Sequence, residues 1–146
     1  MSDKQLPLLQ GEWITLQNQF DSYEKCSLVI KLFNVLIGCI LVFVVDAGLW
    51  PLIVVATLWL QDGIWKTFQS RIGQRLEVVE QAIQDIPHHI PESASQMGMQ
   101  FNLAWNQSRP LAVGLVSEYI KQALKPTVAY PHVVLMALII GELYVK

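Results

Sequence analysis

From Leu28 to Leu60 the chain is almost continuously apolar, and the run is interrupted once, by VDAGLWP at residues 45 to 51. A stretch of that length with so few charges satisfies its backbone in an apolar medium only as helix. Asp46 and Gly48 favour a turn and Pro51 suits the first turn of a new helix, so the stretch predicts two membrane helices. They run about from Lys25 to Val45 and from Trp50 to Trp65. The composition agrees, since 53% of the 146 residues are hydrophobic and 15% charged, more apolar than a soluble domain of this size. A net charge of -2 without a basic cluster leaves no electrostatic footprint for nucleic acid.

The apolar stretch runs on into WLQDGIWKTFQSRI with no helix breaker between. Beyond Asp62 the apolar residues keep helical spacing at Trp65, Phe68, Ile72, Leu76, Val79, Ile83 and Ile86, alternating steps of four and three from Ile72 onward. Leu9, Trp13, Leu16, Phe20 and Tyr23 step the same way before the first membrane helix. Two coiled-coil extensions therefore flank the membrane pair, and their seams are predicted to bury each other. Pairing Tyr23 with Ile72, Phe20 with Leu76, Leu16 with Val79, Trp13 with Ile83 and Leu9 with Ile86 places the bend near Ala47 and Gly48. The turn chemistry puts it in the same place.

Lys25, Lys31, Lys66, Arg71 and Arg75 lie at the ends away from the turn, which has no Lys or Arg. The positive-inside rule then predicts a cytoplasmic N-terminus and a turn on the periplasmic side. The N-terminal twenty residues have acidic groups and no apolar core with a cleavage site, so no signal peptide is expected. Cys26 and Cys39, thirteen residues apart on one helix, lie about 20 Å from each other and cannot bridge.

Where the pair meets the membrane surface, Lys31 and Asn34 on the first helix are expected to cluster with Gln61 and Asp62 on the second, Asn34 opposite Asp62. Ionisable groups at that depth are costly and are functional candidates by default. Hydrogen bonding between the helices, pinning register and depth, is the structural role such a cluster would have; lining a water-filled path is the other.

Two prolines and small polar residues in IPHHIPESASQMG, residues 86 to 98, break the helical pattern and predict a linker over 87 to 98. His88 and His89 are adjacent, whereas a helix-borne metal pair sits at i and i+4, and no metal is expected. Further on, Ser108 or Arg109 can cap and Pro110 can open an amphipathic helix ending at Lys125, lying on the membrane surface or packed against the hairpin, with Leu111, Leu115, Val116, Tyr119, Ile120 and Ala123 on its apolar face. Phe101 and Trp105 precede it and suit core packing. A short third membrane helix is expected from Pro131, apolar over Val133 to Val145 and only about 20 Å long, with the C-terminus outside and His132 and Glu142 solvated near opposite interfaces.

These readings combine into one all-α membrane protein: a long antiparallel helical hairpin over 1–86, the linker 87–98, and 99–146 with the surface helix and the third apolar helix. A glycine-rich phosphate loop, a G-x-S-x-G elbow and an H-E-x-x-H helix are all absent from the sequence. That predicts no enzyme and no cofactor.

The stretch LWLQDGIWKTFQSRI, a membrane helix ending in Asp62 and passing into an aromatic and basic helix, resembles a pattern in small proteobacterial inner-membrane proteins. Over residues 25 to 75 the chain is also similar to two-helix SLATT-like membrane effector domains. That resemblance implies oligomerisation into a pore in bacterial defence. Two functions follow as expectations. The first is a scaffold or accessory subunit of a bacterial inner-membrane assembly, bound to lipid and to copies of itself or a partner membrane protein, with Ile14, Phe68, Val78 and Ala82 as contact points. The second is an oligomeric pore ringed by Lys31, Asn34, Gln61 and Asp62. The first is favoured, because Val35 to Val45 and Leu52 to Leu60 offer an ion almost nothing beyond Thr57.

Overall fold

The computed structural model describes residues 5–45, 48–85 and 112–145, and all the regular structure among them is helical. The linker, His88, His89, Phe101, Trp105, the cap at 108 to 110, Leu111 and seam residue Ile86 lie outside the described residues. Four helices follow in order: α1, Gln5–Phe43; α2, Trp50–Asp85; α3, Ala112–Ala123; and α4, Pro126–Val145.

With 39 and 36 residues, α1 and α2 are about 58 and 54 Å long, well beyond the roughly 30 Å of a bilayer's apolar core. They run antiparallel, as the hydrogen bonds of Trp13 to Glu80 and of Ser27 to Asp62 require. Gly48 sits between them at φ +60°, a left-handed conformation that costs glycine little. Away from that turn, Leu9 and Leu16 bury themselves against Ile72, Leu76 and Val79, with Trp13, Phe20, Tyr23, Ala82 and Ile83 packed around them. The apolar steps of four and three thus become one continuous packed face.

The pairing differs from the sequence expectation by part of a helical turn, as the contacts of Trp13 with Glu80 and of Phe20 with Gly73 show. Tyr23 sets its ring at a tilt against Trp65 and Phe68, with centroids 4.8 and 6.4 Å away, while also packing on the cluster that holds Ile72. The reason lies in the helix ends: α1 stops at Phe43 and α2 starts at Trp50, so partners are centred between positions 46 and 47, not on Ala47 and Gly48. Polar pairs close the edges of the face. Arg75 Nε meets the buried Glu12 at 2.9 Å, and Lys66 Nζ meets Glu24 at 2.6 Å. The Lys66 and Gln69 hydrogen bonds hold the Glu24 carboxyl below the usual carboxylate range.

The last helix departs further from expectation, whereas α3 takes one of the two places expected of it, packed against the hairpin. Pro131 does not start α4; the helix begins five residues earlier at Pro126, where the Lys125 carbonyl accepts from the Val128 and Ala129 amides. Those extra residues make α4 about 30 Å long, enough for a full span, with Pro131 tolerated inside. Val128, His132, Leu135 and Ile139 form its buried face, again in steps of four and three. Leu135 sits against Gly38 of α1, and with Ile139 it packs on Val55 of α2. Meanwhile α3 packs along α2: Ala123 lies on Gly63, and Arg71 pairs with Glu118 at 2.5 Å.

By length and composition α1 and α4 are apolar enough to cross a membrane, and most of that apolar surface is exposed. Leu32, Phe33, Leu36 and Phe43 on α1 and Val133, Val134, Leu138 and Tyr144 on α4 face outward. The sequence reading also had Trp50 to Trp65 as a span. In the structure the apolar part of α2, Trp50 to Leu60, measures only about 16 Å before Gln61 and Asp62.

Candidate functional site

The site is built where α1, α2 and α4 meet, at the end of their apolar segments away from the α1–α2 turn. Asp62 of α2 is fully buried, and each of its oxygens is engaged. Ser27 of α1 donates its hydroxyl to Oδ1 at 2.5 Å. On Oδ2 two nitrogens converge from different helices, Lys31 Nζ at 3.5 Å and His132 Nε2 at 3.4 Å. The other ring nitrogen of His132, Nδ1, lies 2.5 Å from the Asn34 amide nitrogen. With that amide orientation Nδ1 is the acceptor of the Asn34 amide and Nε2–H the donor to Asp62. Asn34 Oδ1 is buried and has no hydrogen-bond partner.

Trp59 closes the site from α2. Its ring stacks on His132 with centroids 6.2 Å apart and planes at 21°, and its Nε1–H donates to the Ala123 carbonyl at 2.9 Å. That carbonyl is one of those that a helix end leaves without an internal partner, so one side chain fixes both the end of α3 and the imidazole of α4.

Of the four residues expected to cluster, Lys31 and Asp62 come together. Asn34 is buried in the same site but bonds His132 of α4 instead of facing Asp62 across the pair. Gln61 is exposed and points away. His132, expected in solvent at an interface, is 1% exposed and forms the centre of the cluster. Ser27, Trp59 and His132 are the participants that the sequence reading missed. One signal was available for Ser27: the steps from Tyr23 to Ser27, Lys31, Asn34 and Gly38 simply continue the seam into the apolar segment. His132 gave no such sign, because nothing local fixes the face that α4 presents to α1 and α2.

No protein family model, no curated protein and no solved structure matches this chain. The chemistry of the site is therefore read from its own geometry. Among the described residues no group of three or more His, Cys, Asp or Glu could hold a metal ion. The site presents one carboxylate oxygen shared by a lysine ammonium and a histidine ring nitrogen, closed from solvent except along the Lys31 side chain, which is 18% exposed.

The expected contact residues divide as well. Ile14 and Val78 are exposed, whereas Ala82 packs on the α1–α2 core and Phe68 is half-buried beside Tyr23. On α3, Val113, Val116 and Ile120 form an exposed apolar stripe that Leu124 extends past the helix end, while Ala123 on another side meets α2.

Proposed function

We propose that the chain is a non-enzymatic integral membrane protein that acts as a scaffold or accessory subunit of an inner-membrane assembly. In this reading α1, the apolar part of α2 and α4 form a three-helix membrane unit, and the far ends of α1 and α2 with α3 form a cytoplasmic docking body. The N-terminus is cytoplasmic and the C-terminus periplasmic, since Lys25, Lys66, Arg71, Arg75, Lys121 and Lys125 all gather on one side of the unit.

The observation that carries this reading is where the polar groups go. Asp62, Asn34, Ser27 and His132 are buried against one another within a single chain, while Leu28, Val29, Leu32 and Leu60 beside them face outward. A pore lining needs polar groups that face a shared path. Even the exposed Thr57 directs its hydroxyl to its own helix, at the Ile53 carbonyl. Outside the membrane unit, the exposed stripe of Val113, Val116, Ile120 and Leu124 gives a partner something to cover.

Native mass spectrometry of the protein extracted gently from its own membrane tests this by reporting copy number and bound proteins together. A monomer, a dimer or a reproducible complex with another membrane protein is expected. A closed ring of four or more copies with nothing else bound would favour the pore.

A further inference from the structure

Asp62 meets a lysine ammonium and a histidine ring nitrogen on a single oxygen, and the site has room for the positive charge of only one of them. With His132 neutral, Lys31 and Asp62 cancel. A second positive charge on His132 would leave the cluster with a net charge of +1 between helices whose outer surfaces are apolar, a large desolvation cost.

We propose that this cluster is a proton-binding site in which proton uptake by His132 exchanges the counterion of Asp62. The proton comes from water that reaches the site along Lys31 and forms a bond to Nδ1, while Nε2 keeps its hydrogen. The imidazolium then balances Asp62 through Nε2–H, and Lys31 leaves as an ammonium ion toward the cytoplasmic surface, which its long stem permits. The cluster stays neutral in both states.

A second observation points the same way. Nδ1 accepts from the Asn34 amide in the neutral state and becomes a donor after protonation, so Asn34 must turn its amide over. The oxygen this brings to Nδ1 is Oδ1, the buried atom without a partner. The acceptor required by the protonated state is thus one rotation of the Asn34 amide away, and that rotation breaks no hydrogen bond of Oδ1. The charged groups acting on Asp62 are Lys31 from α1 and His132 from α4, and α3 approaches through Ala123, which has no titratable side chain. Because His132 is the contact through which α4 holds both Asn34 and Asp62, the exchange links the docking of α4 to the position of Lys31 at the membrane surface.

This inference rests on the membrane reading, because lipid on the outside is what makes a net charge costly. Nitrogen-15 magnetic resonance of the full chain in lipid bilayers, with histidine and lysine labelled, tests it. His132→Gln and Lys31→Met spectra assign the two signals. The Lys31 ammonium signal is expected to move at the same midpoint at which the His132 ring changes from one form to the other. In Lys31→Met, half-protonation of His132 should occur at a proton concentration roughly tenfold lower, since no other cation balances Asp62. A Lys31 signal indifferent to the state of His132, or an unmoved His132 midpoint in Lys31→Met, would overturn the proposal. Should that variant fail to fold, the shared or separate midpoints of the wild type decide. Alkaline carbonate extraction of the same membranes reports insertion separately. A chain released by carbonate contradicts the membrane reading, whereas a retained chain with separate midpoints contradicts the exchange alone.

Discussion

Asp62→Ala is expected to be among the most damaging single substitutions in the chain, with a loss of about 3 kcal/mol and a correspondingly lower Tm. The carboxylate is the shared acceptor for Ser27, Lys31 and His132, and its removal strands three polar groups at once. Hydrogen bonds between membrane helices average well under about 1 kcal/mol when deleted singly, so most of the loss comes from the uncompensated charge and its simultaneous partners. Asp62→Asn keeps one acceptor oxygen for the His132 Nε2–H and places its NH2 where it can donate to the Ser27 hydroxyl oxygen, so it should cost less, about 1 to 2 kcal/mol. The diagnostic experiment is the cycle with Lys31→Met. Once Asp62 is gone, removing the Lys31 charge should relieve strain, and the double variant should be more stable than the two single losses predict by on the order of 1 kcal/mol. Thermal unfolding in one detergent measures all four proteins. Strict additivity would mean that Lys31 and Asp62 do not pair.

A second large effect is expected where helices approach closely. A Cβ built on Gly63 would lie 2.8 Å from the Ala123 Cβ and 3.2 Å from both the Ala123 Cα and the Tyr119 carbonyl oxygen. Two of those three atoms are backbone, so α3 itself must move. Gly63→Ala should cost about 1 to 3 kcal/mol and loosen α3, seen as faster amide exchange over Ala112–Ala123. It should also disturb the Trp59 bond to the Ala123 carbonyl, and with it the stacking on His132. Gly11→Ala is the control, because nothing stands within 4 Å of its added Cβ. There the substitution should stabilise by roughly 0.5 to 1 kcal/mol through helix propensity. If Gly63→Ala proved as harmless as Gly11→Ala, the close contact of α2 and α3 would be wrong.

How far the sequence could be read depends on how local the deciding forces are. The packed ends of α1 and α2 were legible, because Leu9, Leu16, Ile72, Leu76 and Val79 announce their face by spacing alone. The pairing was less so, since a difference of one or two residues in where α1 ends and α2 begins moves every partner by a fraction of a turn. The polar site was legible as a place, from Lys31 and Asp62, but not as a set of bonds. Asn34 was assigned to the neighbouring helix in the pair because α4 was not considered as a competitor for its amide. Pro131 misled for a physical reason: proline suits a helix start, and here a second proline at 126 takes that role. His132 then changed from a solvated end residue to an interior one, because five more residues of helix carry it below the surface of the bundle.

These arguments share one claim, that the apolar faces of α1 and α4 lie in lipid while the polar groups are sealed inside. Spin labelling at Leu36 tests it most directly. That residue is 59% exposed and lies two positions from the buried Asn34. With Cys26 and Cys39 replaced by Ser and a label attached to Leu36→Cys, collision rates with oxygen and with a water-soluble nickel complex are compared in bilayers. Oxygen should dominate by a wide margin, as it does for a label in hydrocarbon. A nickel rate that equals or exceeds the oxygen rate would place this face in water and contradict the account.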